Sequence, residues 1–455
     1  MYKATLALRY LIKRKISYFA VAAVALCVFV VFVVITVLSG LTEEFKNSTH
    51  LSVGDCVVST KSLVGFGYYG EFIKELKGAD FVEAACPVIK NYAIVDSTIE
   101  SGSQRYISSS YVEVMGVDAA LYGRVTGFGQ WLFYHKGDFG GAFEVSYDPD
   151  LPGCIPGVGL LFSRDSQGSY NVPAELSRLK LEVSCVPLTA KGALAKAGAG
   201  EVNTKTFYYS DTFQSGLARI DGGLIYLPFE DAQRLCGMAA SPKRANAIHI
   251  KFKPGVALQK GCEQVKGLWG RFVEQARDRP QASLLDGVMV QSWKNYSRSF
   301  IAAVETERTM MMIIFGMIGV ITVFIVFVVL YMIVSHKAKD IGILKSIGAS
   351  NRNVMLLFLY FAFLVGSVGS VIGAVGGWQF LVRINRIEDW LFEHFGFQLW
   401  DRQLYAIGDI PNNIDFEVLA TVIILAIVAC LAGGFLPSRQ AARLKPIESL
   451  QVSQI

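Results

Sequence analysis

The side chains able to do chemistry are spread thinly along this chain. His50, His135, His249, His336 and His394 lie far apart, and none falls at a metal-ligand spacing. There is no HExxH pair, no GxSxG nucleophile elbow and no GxxxxGK[ST] phosphate loop, so the sequence offers no catalytic site and no ATP site of these kinds. Cys27 and Cys430 sit in apolar stretches, while Cys56, Cys86, Cys154, Cys185, Cys236 and Cys262 sit outside them. No CxxC spacing occurs among them. Six cysteines permit fifteen complete pairings, and because a domain of this size does not need disulfides to fold, unpaired buried thiols are a serious alternative.

The short segment with most to say is Ser335–Ser350, SHKAKDIGILKSIGAS. Ile341, Leu344 and Ile347 recur at helical spacing, which predicts a short amphipathic helix able to lie under a membrane or dock on a partner.

Four long apolar stretches flank and follow this region's only large polar block. Charged residues make up 18% of the chain, against about 25% in an average soluble protein, and the deficit is concentrated in those stretches. Residues 16–40, 309–334, 354–380 and 418–436 are the expected spans, each close to the ~20 apolar residues that cross a bilayer as a helix. The first is too long for the ~7–15-residue core of a signal peptide. None carries a carboxylate, which argues against a proton-coupled carrier.

Basic residues set the orientation. Residues 1–15, 335–353 and 437–455 are rich in Lys and Arg, whereas residues 381–417 carry more acidic than basic groups. The positive-inside rule then puts both termini and residues 335–353 in the cytoplasm and residues 41–305 outside. The net charge of +5 forms no continuous patch, so no nucleic-acid partner is expected. The fold class expected is an α-helical membrane protein with four transmembrane helices plus a large α+β extracytoplasmic (periplasmic) domain.

Gly366, Gly369, Gly373 and Gly376 in the third span recur at steps of three and four, predicting a helix face for close packing. In the outer domain, Leu179–Val183 alternates as a half-buried strand, and Leu224–Pro228 leads into a short helix. Ala257–Ala276 reads as an amphipathic helix, and Pro187–Lys205 as the exposed loop of a hairpin. The glycine-rich stretch Gly123–Gly168 holds Phe128, Trp131, Phe133, Tyr134, Phe139 and Phe143, either as a contact surface or as a local core.

Several of these segments resemble the transmembrane subunits of the lipoprotein-releasing (Lol) ABC transporter. They are Ala7–Leu11, Ser39–Phe45, Phe213–Gly216, Leu224–Leu235, the run Lys339–Ser350, and the closing Leu436–Arg443 with Pro446 and Glu448. Lys339–Ser350 and the closing pattern are shared with MacB-type efflux pumps and the cell-division permease FtsX, so efflux or mechanical signalling is the alternative. The resemblance implies a non-catalytic subunit of the bacterial inner membrane, paired with a second copy or a paralogous subunit. An ABC ATPase subunit would bind ATP–Mg, leaving no cofactor in this chain. Lys339, Asp340, Ile341, Leu344, Lys345, Ile347, Gly348 and Ala349 would couple to that ATPase. A lipoprotein would be the substrate, and Pro187, Leu188, Lys191 and Lys196 would lie in a loop contacting a periplasmic lipoprotein carrier.

Overall fold

The computed structural model describes residues 15–101, 104–162, 170, 179–193, 202–396, 410–412 and 414–444. The first helix, α1, runs unbroken over Lys15–Val53, well past the apolar stretch. It ends at Gly54, whose N–H donates to the His50 carbonyl at 2.9 Å with φ of 76°. A Cβ there would lie 2.9 Å from the Ile250 carbonyl oxygen, so glycine is what lets the helix turn into the first strand.

The strands that follow are β1 (Cys56–Thr60), β2 (Phe66–Gly67), β3 (Val82–Ser101), β4 (Gln104–Val117), β5 (Gly153–Pro156), β6 (Lys180–Cys185), β7 (Asn203–Tyr209), β8 (Leu224–Pro228), β9 (Arg244–Ala245), β10 (Ala247–Phe252) and β11 (Val288–Ser292). Helices α2 (Tyr69–Lys77), α3 (Ala119–Val125), α4 (Phe229–Leu235) and α5 (Leu258–Gln275) pack on them. Nine strands form one sheet in the order β11-β1-β10-β3-β4-β8-β5-β7-β6.

Strand β3 gives this sheet its form. Its first half pairs with β10, and its second half holds β4 on one edge and β6 on the other. The far end of the sheet is thereby brought back onto β3, so that β3, β4, β8, β5, β7 and β6 make a closed ring. Closure removes the exposed edges that an open sheet would present. Along β6 the pleat turns Leu181, Val183 and Cys185 into the ring, against Val95, Val114, Phe207 and Ile225, while Lys180 and Glu182 face out.

The open arm, β11-β1-β10 with the start of β3, has a core on each face. Cys56, Val58, Ile248 and Ile250 meet Phe72 and Leu76 of α2 and Trp269 and Phe272 of α5. Val57, Cys86 and Val88 meet Tyr122 of α3 together with Phe128, Phe213 and Tyr226. The aromatics of the glycine-rich stretch divide. Phe128 is fully buried and Phe139 and Phe143 pack on this second core, whereas Phe133 and Tyr134 stay exposed. Buried Asp211 fixes that stretch by accepting from the backbone N–H groups of Phe133, Tyr134 and His135 at 2.9–3.2 Å.

His249 on β10 is fully buried beside the Tyr122 and Tyr296 rings, and neither ring nitrogen has a hydrogen-bond partner among the described residues. Burial, reinforced by the charge of Lys90, pushes its pKa down to about 3. Lys90 is itself paired with Glu113 at 3.3 Å. An unfolded His titrates near 6.5, so below that pH the unfolded chain binds the extra proton and the fold loses stability as pH falls. The expected loss is about 2 kcal/mol between pH 7 and pH 5. Denaturant unfolding of the purified chain should show it, and His249→Phe should flatten that part of the profile.

The path into and out of this domain is fastened at one place. His50 near the end of α1 bonds Asp55 at 2.8 Å and stacks on Trp293 at 4.8 Å, and the Trp293 N–H donates to the Asp55 carbonyl at 3.0 Å. Burial raises the Asp55 pKa, but the bonds from His50 and the Phe252 N–H outweigh it and hold the carboxyl below its ordinary range.

The remaining helices are α6 (Arg298–His336), α7 (Ala338–Ser346), α8 (Asn351–Phe395) and α9 (Phe416–Arg443). Among the described residues, four helices, α1, α6, α8 and α9, are long and apolar enough to cross a membrane. With the sheet domain they make the expected architecture. The chain divides into two compact units, one centred on Glu44–Ile301 and the other on the helices before and after it.

Candidate functional site

In the helical unit, the small residues of α8 decide how closely the helices approach. A Cβ on Gly369 would lie 2.8 Å from Val24, and one on Gly373 would lie 2.4 Å from the Ala25 carbonyl oxygen, both on α1. Gly366 faces α9 instead, 3.1 Å from Cys430 by the same construction. Gly376 is exposed, with only Phe29 within reach at 3.6 Å, and the buried position is Gly377, 2.7 Å from Phe32. Helical spacing of 3.6 residues favours 377 over 376 as the next position on the α1 face. Sequence reading missed Gly433 and Gly434 of α9: an added Cβ would lie 2.5 Å from the Val323 carbonyl oxygen of α6 at the first and 2.7 Å from Ala362 of α8 at the second. Their adjacency hides the period that exposed the α8 set.

Between α1, α6 and α9 lies a cleft. It has a volume of about 780 Å³ and is lined by Val28, Val31 and Ile35 of α1, Met312, Phe315, Gly319 and Val323 of α6, and Val422, Leu425 and Ala429 of α9. This is within the ~300–1,000 Å³ of small-molecule pockets. Its walls are apolar, and charge is confined to Arg308, Asp415 and Glu417. Such a cleft can take a hydrocarbon chain and meet a polar head with charges of both signs. None of its lining residues stood out in the sequence, because apolar residues facing a cleft and apolar residues facing lipid look alike.

The segment 337–350 folds as α7 and a glycine turn. Ile341 is buried in the helical core and Leu344 is half-buried, but Ile347 is 80% exposed because it caps the helix and does not continue its face. The amphipathic stripe is therefore split between an inward Ile341 and an outward Ile343 and Ile347. Gly348 follows with φ of 104°, in open space, and Ala349 packs back on the core. Asp340 pairs with Lys337. Lys339 lies within α7. Lys345 does something the sequence did not announce: its ammonium donates to the carbonyls of Ala442 and Leu444 at 2.8 and 2.7 Å, capping the end of α9. A cation there satisfies carbonyls that have no helical partner and meets the negative end of the helix dipole.

Strands β6 and β7 form the expected hairpin, but its loop is not exposed from the start. Pro187 is buried, with Gly237 beside it, and Leu188 is half-buried, so these two anchor the loop and Lys191 is the exposed member. Lys196 lies outside the described residues. The anchor is Arg244, only 2% exposed, whose guanidinium donates to the carbonyls of Val64, Leu188 and Gly237 at 2.7–3.0 Å.

Residues 312–446, which contain α7, α8, α9 and most of α6, match the family model of the FtsX-like permease C-terminal domain. This part of the chain is similar to an FtsX-like permease C-terminal domain. The lipoprotein-releasing system transmembrane protein LolC of Neisseria meningitidis serogroup B is 23% identical to this chain over 99% of each. The corresponding LolC of Xylella fastidiosa is 26% identical, but that match covers 54% of this chain and 55% of the relative, about half of each length. A probable syringafactin export ATP-binding/permease protein of Pseudomonas syringae is 25% identical over 50% of this chain and 29% of its own. Among solved structures, the extracellular domain of the noncanonical ABC-type transporter YknZ is 12% identical, covering 52% of this chain and 98% of that domain at a TM-score of 0.27. The chain is thus similar from end to end to a LolC, and with its four long apolar helices it is a multi-pass membrane protein.

Proposed function

We propose that this chain is the transmembrane subunit of an ATP-driven transporter that extracts lipoproteins from the inner membrane and passes them to a periplasmic carrier. The observation that carries this reading is the apolar cleft with charge only at its rim, in a chain that matches a LolC along its whole length. Burying acyl chains there would stabilise the extracted lipid by about 0.8 kcal/mol per methylene. The basic flanks support cytoplasmic termini, which puts α7 on the ATPase side and the sheet domain on the carrier side. ATP–Mg belongs to the partner ATPase in this reading, and a second copy or a paralogous permease completes the pair. The outward Ile343 and Ile347 are the groups α7 offers the ATPase, and Lys191 lies in the loop offered to the carrier.

Lys345 joins the ATPase-facing segment to α9, one wall of the cleft. Co-purification from detergent and release from proteoliposomes test the whole reading together. The wild type should retain an ATPase subunit and acylated lipoprotein. Lys345→Met should keep the ATPase but lose roughly 1–3 kcal/mol of charge-assisted bonding at this joint, with release slowed about tenfold. An ATPase retained without lipoprotein would move the assignment to export or mechanical signalling, and no ATPase at all would end it.

A further inference from the structure

We propose that four of the six cysteines of the sheet domain close as two disulfides, Cys56–Cys262 and Cys185–Cys236. Composition leaves every pairing open, and the fold is what brings these four together in twos. Cys56 begins β1 and is fully buried on the face covered by α5, in the same core as Val58 and Ile250. Cys262 lies on the first turns of α5, half-buried against that core, so the two thiols are neighbours where α5 covers β1.

Cys185 ends β6 inside the closed ring, and Cys236 follows α4 in the same buried core. Their backbones are laced together independently of sulfur. Asn203, the cross-strand partner of Cys185, donates to the Leu235 carbonyl at 3.0 Å, and the Leu188 N–H donates to the Cys236 carbonyl at 3.3 Å. These two thiols are also neighbours in that core. The other two cysteines are placed differently. The Cys86 thiol donates to the Pro87 carbonyl at 3.4 Å, and Cys154 on β5 shares the core of Cys185 and Cys236 but has no thiol beside it among the described residues.

The reaction is thiol–disulfide exchange with a small or protein disulfide as oxidant. One thiolate of each pair attacks the oxidant's S–S bond and expels a thiol; its neighbour then attacks the mixed disulfide and expels the second. One S–S bond forms and one breaks, the two cysteine protons pass to the two released thiols, and the two electrons go to the oxidant. The second disulfide would lock the base of the Pro187–Lys191 loop beside Arg244. Formation in the cell rests on the outward orientation proposed above, because such bonds persist in oxidising compartments.

The test is peptide mapping without reduction of the full chain, isolated from cells whose thiols are blocked at lysis. Peptides joined through Cys56–Cys262 and Cys185–Cys236, with Cys86 and Cys154 unlinked, are expected. Links to Cys86 or Cys154 overturn the pairing, as do four thiols that stay unlinked when a separate, unblocked sample is incubated with glutathione disulfide. Thiols that are free in the cell but join in these two pairs with glutathione disulfide uphold the pairing and overturn the orientation instead. A Cys56→Ser/Cys262→Ser double variant should melt about 10 °C below the oxidised wild type and near the reduced one. Equal melting of all three overturns the first pair.

Discussion

Gly373→Val is expected to lower the stability of the helical unit by about 3 kcal/mol or more. The reason is that the added carbon would meet backbone. A Cβ at Gly373 lies 2.4 Å from the Ala25 carbonyl oxygen and 2.9 Å from Val28 Cβ, so α1 and α8 must move apart to admit it. In a bilayer that separation has no compensation, because helix association there depends on close van der Waals packing and not on the exclusion of water. Gly376→Ala is the control. Its Cβ meets only Phe29 at 3.6 Å, and alanine favours a helix over glycine by up to about 1 kcal/mol. Thermal unfolding of both variants in detergent should separate them clearly. If both fall equally, any loss of glycine flexibility matters and the close approach does not.

Under the proposed function, Gly319→Trp should abolish most of the lipoprotein release while leaving the protein folded. Gly319 lines the cleft, and a Cβ there meets nothing within 4 Å, so an indole has room to enter and takes the space of a hydrocarbon chain. Release of lipoprotein from proteoliposomes should fall by about tenfold or more, since a filled pocket of this size cannot bury a second large apolar group. The ATPase should still co-purify, because α7 is untouched. Val371→Trp serves for comparison: Val371 is 57% exposed on α8 and does not line the cleft. Similar release by Gly319→Trp and Val371→Trp would remove the cleft from the mechanism.

Several short segments were legible because their signals are local. The Leu179–Val183 alternation became β6, Leu224–Pro228 became β8 leading into α4, and Ala257–Ala276 became α5. Each needs only its own period and the residues at its ends. The reading of 341–347 was less complete. Spacing placed three apolar residues on one stripe, but the helix stops at Ser346, so Ile347 leaves the stripe and the outward face is completed by Ile343. A one-residue shift likewise moved the buried glycine from 376 to 377.

The cleft, the Lys345 cap, the Arg244 anchor and the cysteine pairs had no such signal. Each joins residues far apart in the chain, and the chain's own periodicity is blind to them. Strand β3 shows why: nothing in its alternation says that it will pair with β10 along its first half and with β6 along its second. That choice closes the ring, buries Cys185 beside Cys236 and sets Arg244 under the loop.

Four spans, a large polar block between the first two, and a helical segment between the second and third follow from residue type and run length alone, because transfer of a side chain between water and hydrocarbon depends little on its neighbours. Which helices touch, where they part to leave a cleft, and which thiols meet are properties of packing. They depend on contacts summed over the whole fold, and only the tertiary structure decides them.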